Sequence, residues 1–386
     1  MTGRERIDIR IDMQRAEAAR RRFEALERFE YVDRVPVSMG FEAQFYLAER
    51  GVSWEEYFSD PVTQMRHQLL NRKLLYEMAP DDRPFDGTIT LNPDFQNVVN
   101  SSAVGCEIEW LADDPPRARP FLRDEVDLQK LQKPPPDAGL WGKSLQWYYA
   151  MMEARDRFDV RVNGEPVPVN IHVGVTGDTP YIMMVDAAQQ NLFVWMMECP
   201  ELLLEAMSKL THGLIEAEHA FRRLRGVDLD YGFWLSDDPV PMLSNDQYRE
   251  HVAPHTLALY EALSRPGAPR GMHLCGRNTH VIPTLMDYLH ITSLDGAGYV
   301  NRPEDYVGTL AGKVVFRGNL DPMLLLNGPV SDIKRAAHHV MSVLAPHGGL
   351  HLQDGYNICP HTPWEHIRAV VEAADEYGLP HSERHS

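Results

Sequence analysis

Arg34-Val35-Pro36-Val37-Ser38-Met39-Gly40-Phe41 reads as a short buried strand that runs straight into a turn. An open, doubly wound sheet places a glycine-rich phosphate turn after its first strand. Val37-Ser38-Met39-Gly40-Phe41 has no such turn. Seven further strand candidates follow: Gly87–Leu91, Val167–Val173, Asp228–Trp234, Arg270–His273, Ile291–Leu294, Val314–Gly318 and Gly349–Gln353. Helical patterns lie between most of them, as at Glu201–Leu224, Asn245–Leu263, Thr279–Leu289, Ser331–Leu344 and Pro363–Tyr377. Strands alternating with helices predict a parallel sheet, and eight such units predict a closed (β/α)8 barrel. The expected fold is therefore α/β, a single barrel domain over 35–386. A helical extension over 1–34, with its helix at Met13–Phe29, precedes it. The Pro-rich stretch from Asp113 to Pro136 reads as a surface excursion within that domain.

The bulk composition fits this reading. The chain has 386 residues, of which 44% are hydrophobic, enough for one large buried core. A net charge of −18 lacks the basic footprint of a general nucleic-acid binder. The four cysteines, Cys106, Cys199, Cys275 and Cys359, form no close pair, so reduced thiols are expected. The Arg- and Glu-rich N-terminus has no apolar stretch typical of a secretory signal, and no apolar run is of membrane-spanning length. A cytoplasmic enzyme is the expectation.

In barrels of this kind the chemistry lies on loops after the strand C-termini. Polar residues gather at those points: Glu42, Asn92, Asp94, Thr176, Asp178, Asp237, Asp238, His273, Cys275, Asp295, Asn319, Asp321, Asp354, Tyr356, Asn357 and Cys359. Of these, Glu42, Asp178, Asn319 and Asp354 are expected to face substrate. His273 and Cys275 are two apart on a strand end, so their side chains point the same way. An imidazole and a thiolate there suit zinc, which takes N and S donors and keeps one position open in catalytic sites. Cys359 is the natural third ligand. The alternative is two half-buried residues and an unrelated thiol. Asp237 and Asp238 suit substrate orientation, general acid–base work or metal binding, or else a turn before Asn245. Asn319-Leu320-Asp321-Pro322 suits a helix-capping turn.

Several motifs together resemble the uroporphyrinogen decarboxylase superfamily, and within it the corrinoid-dependent methyltransferase branch. They are Asp33-Arg34-Val35-Pro36-Val37, Ser236-Asp237-Asp238 with Met242 and Tyr248, Met272-His273-Leu274-Cys275-Gly276, Arg317-Gly318-Asn319-Leu320-Asp321-Pro322, and the run from Asp354 to Pro363. The resemblance implies a (β/α)8 barrel. It implies transfer of a methyl group from a small donor, such as a methyl ether, to the cobalt of a corrinoid. It also implies zinc held by His273, Cys275 and a later cysteine, and homodimers are common in the family. Tyr356 stands where thiol-using relatives carry that cysteine, and Cys359 lies three residues beyond. This favours an O-demethylase-like enzyme with Asp237, Asp238, Tyr356 and Asn357 as catalytic groups. Glu42 or Asp237 is the alternative third ligand. No Asp-x-His-x-x-Gly segment occurs, so the cobalamin is expected on a corrinoid-binding partner. The competing readings are a metal-free decarboxylase using Asp237 or Asp238, and a non-catalytic binding protein. The segment after Val37 lacks the arginine cluster that decarboxylases use for substrate carboxylates.

Overall fold

The computed structural model of the chain describes residues 4–227 and 232–379. Five strands lie side by side in chain order and run parallel: Phe233–Ser236, Arg270–His273, Ser293–Asp295, Val315–Leu320 and Leu350–Asp354. Parallel neighbours require crossovers, which helices such as Ala253–Leu263 and Val330–Leu344 supply. Ile89–Leu91 pairs in parallel with Val169–Ile171. Single parallel bridges join Val37 to Leu352 and Asp178 to Ser236.

Each expected strand thus has a counterpart, with two differences. The first is one bridge rather than a ladder. Pro36 has no N–H to donate, so this stretch binds through Pro36 O, which accepts from Leu352 N, and Ser38 N, which donates to Leu352 O. The fourth runs Phe233–Ser236, further along than the expected Asp228–Trp234, whose first four residues lie outside the described residues.

The N-terminal segment is not helical throughout. Glu5–Ile9 forms a strand parallel to Phe158–Val162, and the helix spans Met13–Leu26 behind an Asp12 cap. Ile7, Ile9 and Ile11 alternate with polar residues, which is strand spacing. All three join the same core cluster as Val35, Val37 and Leu352. Arg22 and Arg34 both pair with buried Asp82, which also accepts from Val37 N at 2.8 Å. This network fixes the first strand against the N-terminal helix. Breaking such a buried pair from one side costs about 3–5 kcal/mol.

The expected helix Asn245–Leu263 is interrupted. Ser244 and Gln247 form a capping box, residues Tyr248–Val252 make a π turn, and Ala253–Leu263 completes the α-helix. Pro254 cannot donate to an i−4 carbonyl, so the hydrogen-bond ladder shifts at this point. The shift bears on the site, because Tyr248 is the residue it turns inward. Among the described residues no helix is long and apolar enough to cross a membrane.

Candidate active site

The strand Arg270–His273 pairs on one side with Ser236 opposite His273, and on the other with Asp295 opposite His273. Backbone bonds lock both neighbours where the strands end. Asp237 N donates to His273 O at 3.2 Å, and Leu274 N donates to Asp295 O at 3.1 Å. Three side chains then converge. His273 Nε2 lies 2.9 Å from Cys275 Sγ and 3.5 Å from Asp238 Oδ1. Cys275 N donates to the same Asp238 oxygen at 2.9 Å. Among the described residues, Asp238, His273 and Cys275 are the group of three whose ligand atoms all fall within 4.8 Å of one another.

That donor set fits zinc. Donors at about 2.0 Å (N, O) and 2.3 Å (S) on a tetrahedral ion stand roughly 3.5 Å apart, near the spacing here. The protonation state of Cys275 supports the same conclusion. Burial, and then the Asp238 carboxylate, hold its thiol far above the usual range. Without a cation the group stays protonated, and a bound metal reverses that balance. Burial pulls the His273 imidazole down, but Asp295, Asp238 and Asp178 outweigh it and hold it above its ordinary value. The backbone also makes room for the ring. A Cβ at Gly296, where φ is +64°, would stand 2.6 Å from His273 Nδ1 and closer still to Cε1.

Asp237 sits behind this cluster with no solvent exposure. It accepts from Thr179 Oγ1, from Tyr248 Oη at 2.7 Å and from Thr256 Oγ1 at 3.1 Å. Burial raises it to about 6 even so. The π turn thus places Tyr248 to hold the loop that carries Asp238.

The other expected residues lie at varying depth. Asp178 accepts from Thr176 Oγ1 at 2.9 Å, and burial with nearby Asp238 holds it up to about 7. Glu42 borders a cavity of about 210 Å³ lined also by Tyr46, Tyr57, Asn71, Arg72 and Asp94. Burial and then Asp94 push it up to about 7. Asn319 is buried and donates to Asn301 O at 2.9 Å. Asp321 caps the helix Pro322–Asn327 by accepting from Met323 N, the structural role expected for that turn. Tyr356 is exposed, and Asn357 is half-buried beside Gly40. Cys359 is half-buried, and its carbonyl accepts from Thr362 N and Oγ1. Its thiol is not in the converging group, where Asp238 takes the place expected for it. Sequence order favours Cys359 because zinc prefers sulfur. The Cys275 N to Asp238 bond that brings Asp238 to the pair joins two loops and leaves no spacing signature.

Asp354 accepts from Gly40 N at 2.7 Å, yet burial holds it up to about 7. A carboxyl raised above its unfolded value of about 3.9 favours the fold fully below that pH. It loses that contribution as pH rises through the folded value. Asp354→Asn is therefore expected to raise the melting temperature of metal-free protein by several degrees at pH 8. The increment should be nil at acid pH, grow between about pH 4 and 7, and level off above. Calorimetry across that range checks it, and an increment independent of pH would overturn it.

The family model described as Uroporphyrinogen decarboxylase (URO-D) matches residues 18–377. A uroporphyrinogen decarboxylase of Thermus thermophilus is 30% identical over 180 residues, 46% of this chain and 47% of that protein. The chain thus aligns with about half the length of that relative. The methylcobamide:CoM methyltransferase MtaA of Methanosarcina barkeri is 23% identical over 356 residues, 90% of this chain and 94% of that protein. Among solved structures, a methyltransferase from Methanosarcina mazei superposes with a TM-score of 0.65 at 21% identity, covering 93% of this chain and 99% of that one.

Proposed function

Because the chain belongs to the uroporphyrinogen decarboxylase family, we propose that it is a methyltransferase. It moves a methyl group from a small donor, such as a methyl ether, to the cobalt of a corrinoid carried by a partner protein. The observation that carries this reading is the convergence of His273 Nε2, Cys275 Sγ and Asp238 Oδ1 at one strand end. Full-length similarity to a methylcobamide methyltransferase supports it, whereas the decarboxylase similarity covers about half the chain. We read the parallel strands and the bridges at Val37 and Asp178 as a closed (β/α)8 barrel, with this cluster at its C-terminal mouth.

His273, Cys275 and Asp238 would hold zinc, which supplies Lewis-acid polarisation of the donor oxygen when bound. The remaining work falls to the chain itself. Asp295, 3.9 Å from His273 Nδ1, orients the imidazole from behind. Trp234 packs against the same ring at 5.5 Å and shields one side of it from water. Asp237 is a positioning residue, holding the loop of Asp238 through three hydroxyls. In ether cleavage the methyl would pass as a cation equivalent to the partner's corrinoid, whose chemistry would supply the electron pair of the new bond. The departing oxygen keeps its old bond pair and takes a proton. Glu42 and Asp178, both held up to about 7, keep a protonated fraction near neutrality and are suited to give it. Tyr356 and Asn357 line the donor's approach. Trp234, Met242, Tyr299 and Tyr356 remain exposed, an apolar rim on which a corrinoid-bearing partner can seat.

The test is methyl transfer to free cob(I)alamin from methyl ethers, methylamines and methanol, followed by the spectral change to methylcobalamin. At least one donor is expected to react, and only with zinc-loaded protein. Carbon dioxide release from a polycarboxylate by metal-free protein, with every methyl donor inert even when a competent partner is supplied, would favour the decarboxylase instead.

A further inference from the structure

A cavity of about 530 Å³ lies outside the parallel strands and is built by three other segments. Trp54 comes from the short helix Trp54–Tyr57, and Phe58 follows it. Trp110 and Leu111 come from the turn that joins the antiparallel strands Glu107–Glu109 and Arg117–Arg119. Lys143 comes from the helix Gly139–Ala154. Trp54 N donates to Ala112 O at 3.2 Å, which fastens the first segment to the second. The volume falls in the range of small-molecule sites.

The walls are aromatic. Trp54 and Phe58 stack at 5.4 Å, and Phe58 meets Trp110 edge-on at 5.0 Å. Trp110 is exposed, so part of this ring surface lies open. Lys143 Nζ stands 5.0 Å from the ring centre of Phe95, 5.1 Å from Trp110 and 5.4 Å from Trp147. Ring faces favour the positive charge, but they offer its three N–H groups no oxygen. Among the described residues Lys143 has no hydrogen bond and no ion pair. Burial pulls its pKa down, and no carboxylate offsets that. Other lysines of the chain are held: Lys73 by Glu77, Lys133 by Glu216, Lys209 by Glu205, and Lys334 by Glu372 and Glu376. A chain of net charge −18 does not lack acids, yet none is brought to Lys143. Its N–H groups are left to what enters the cavity, which is water or an anion.

We propose that this cavity binds an aromatic monocarboxylate, with its flat ring against Trp110 and Phe58 and its carboxylate on Lys143 Nζ. One ammonium supplies one counter-charge. Glu55 also lines the cavity and opposes a second negative charge on the ligand. Flat rings rather than flexible chains match walls made of indole and phenyl groups, since stacked and edge-on contacts add to the burial of area. This site is independent of the methyl-transfer reading, because none of its lining residues belongs to the zinc cluster or its surrounding acids.

Isothermal titration calorimetry of the full chain with 2-naphthoate and the neutral 2-naphthamide tests this. Wild-type protein is expected to bind the acid roughly 10-fold more tightly than the amide. Lys143→Met should erase that preference while leaving amide binding within about 3-fold. Trp110→Ala should weaken both ligands about 3- to 10-fold. Zinc-free and zinc-loaded protein should show the same preference. Equal affinity of wild-type protein for acid and amide, or no binding of either, overturns the proposal. So does a preference that survives Lys143→Met, or binding of both ligands unchanged in Trp110→Ala. A preference seen only with zinc present puts the carboxylate on the metal and overturns it as well. If Lys143→Met loses its fold by circular dichroism, Lys143→Gln decides the matter on the same criteria.

Discussion

Cys275→Ser is expected to leave the purified protein without zinc and to slow methyl transfer to cob(I)alamin at least about 10³-fold, since a Lewis-acid metal supplies several kcal/mol of transition-state stabilisation. The reason lies in the geometry around the thiol. Cys275 Sγ is 2.9 Å from His273 Nε2, and Asp238 is bound to the Cys275 backbone. A serine hydroxyl at that place is a weaker, harder donor, so the soft member of the set is lost. Because burial and Asp238 keep the free thiol protonated, metal uptake must release a proton. Zinc affinity in the wild type should accordingly rise with pH across the neutral range. Elemental analysis of paired variants separates the two candidates for the third donor. Asp238→Asn should lower zinc content, and Cys359→Ser should retain it, because Cys359 lies outside the converging group. A Cys275→Ser protein with about one zinc per chain and near-normal turnover would remove the basis of the proposed function.

Gly296→Ala is expected to weaken zinc binding about 10- to 100-fold without replacing a ligand. Gly296 has a φ of +64°, a region that costs an alanine roughly 1–2 kcal/mol. The larger effect is steric. The added methyl would stand 2.6 Å from His273 Nδ1, so the imidazole has to swing away from Cys275 and Asp238. A displacement of about 1 Å at a reacting centre costs on the order of 10²-fold in rate. Competition with a chromophoric chelator measures the zinc affinity, and far-UV circular dichroism monitors the fold. Wild-type zinc affinity in Gly296→Ala would show that the ring has freedom the structure denies it.

The large-scale design is legible in the chain because it depends on local patterns. Val315–Leu320 opens on two apolar residues, Leu350–Asp354 alternates apolar and polar ones, and helices of regular spacing follow them. His273 and Cys275 are legible as a pair because alternation along a strand is a local rule. What escapes a reading of the sequence is what tertiary contact decides. Asp238 and Asp237 are chemically identical neighbours. Only the hydroxyls of Thr179, Tyr248 and Thr256 show which one is enclosed and which reaches Cys275. The strand Glu5–Ile9 is readable from its alternating isoleucines, but the arginines and glutamates around it carry a stronger helical signal.

Ser38 meets His351 across 313 residues of chain, and Val37 bridges Leu352 beside them. On a ribosome adding about 5–20 residues per second, the first strand waits tens of seconds for the partner that closes this seam. Through that interval the edge at Val37 lacks the neighbour it will bridge, and such open edges invite pairing with other nascent chains. Synthesis therefore exposes this protein to aggregation longest at the step that finishes its site, and holding factors that cover the early strands should improve the yield of active protein more than those acting after release.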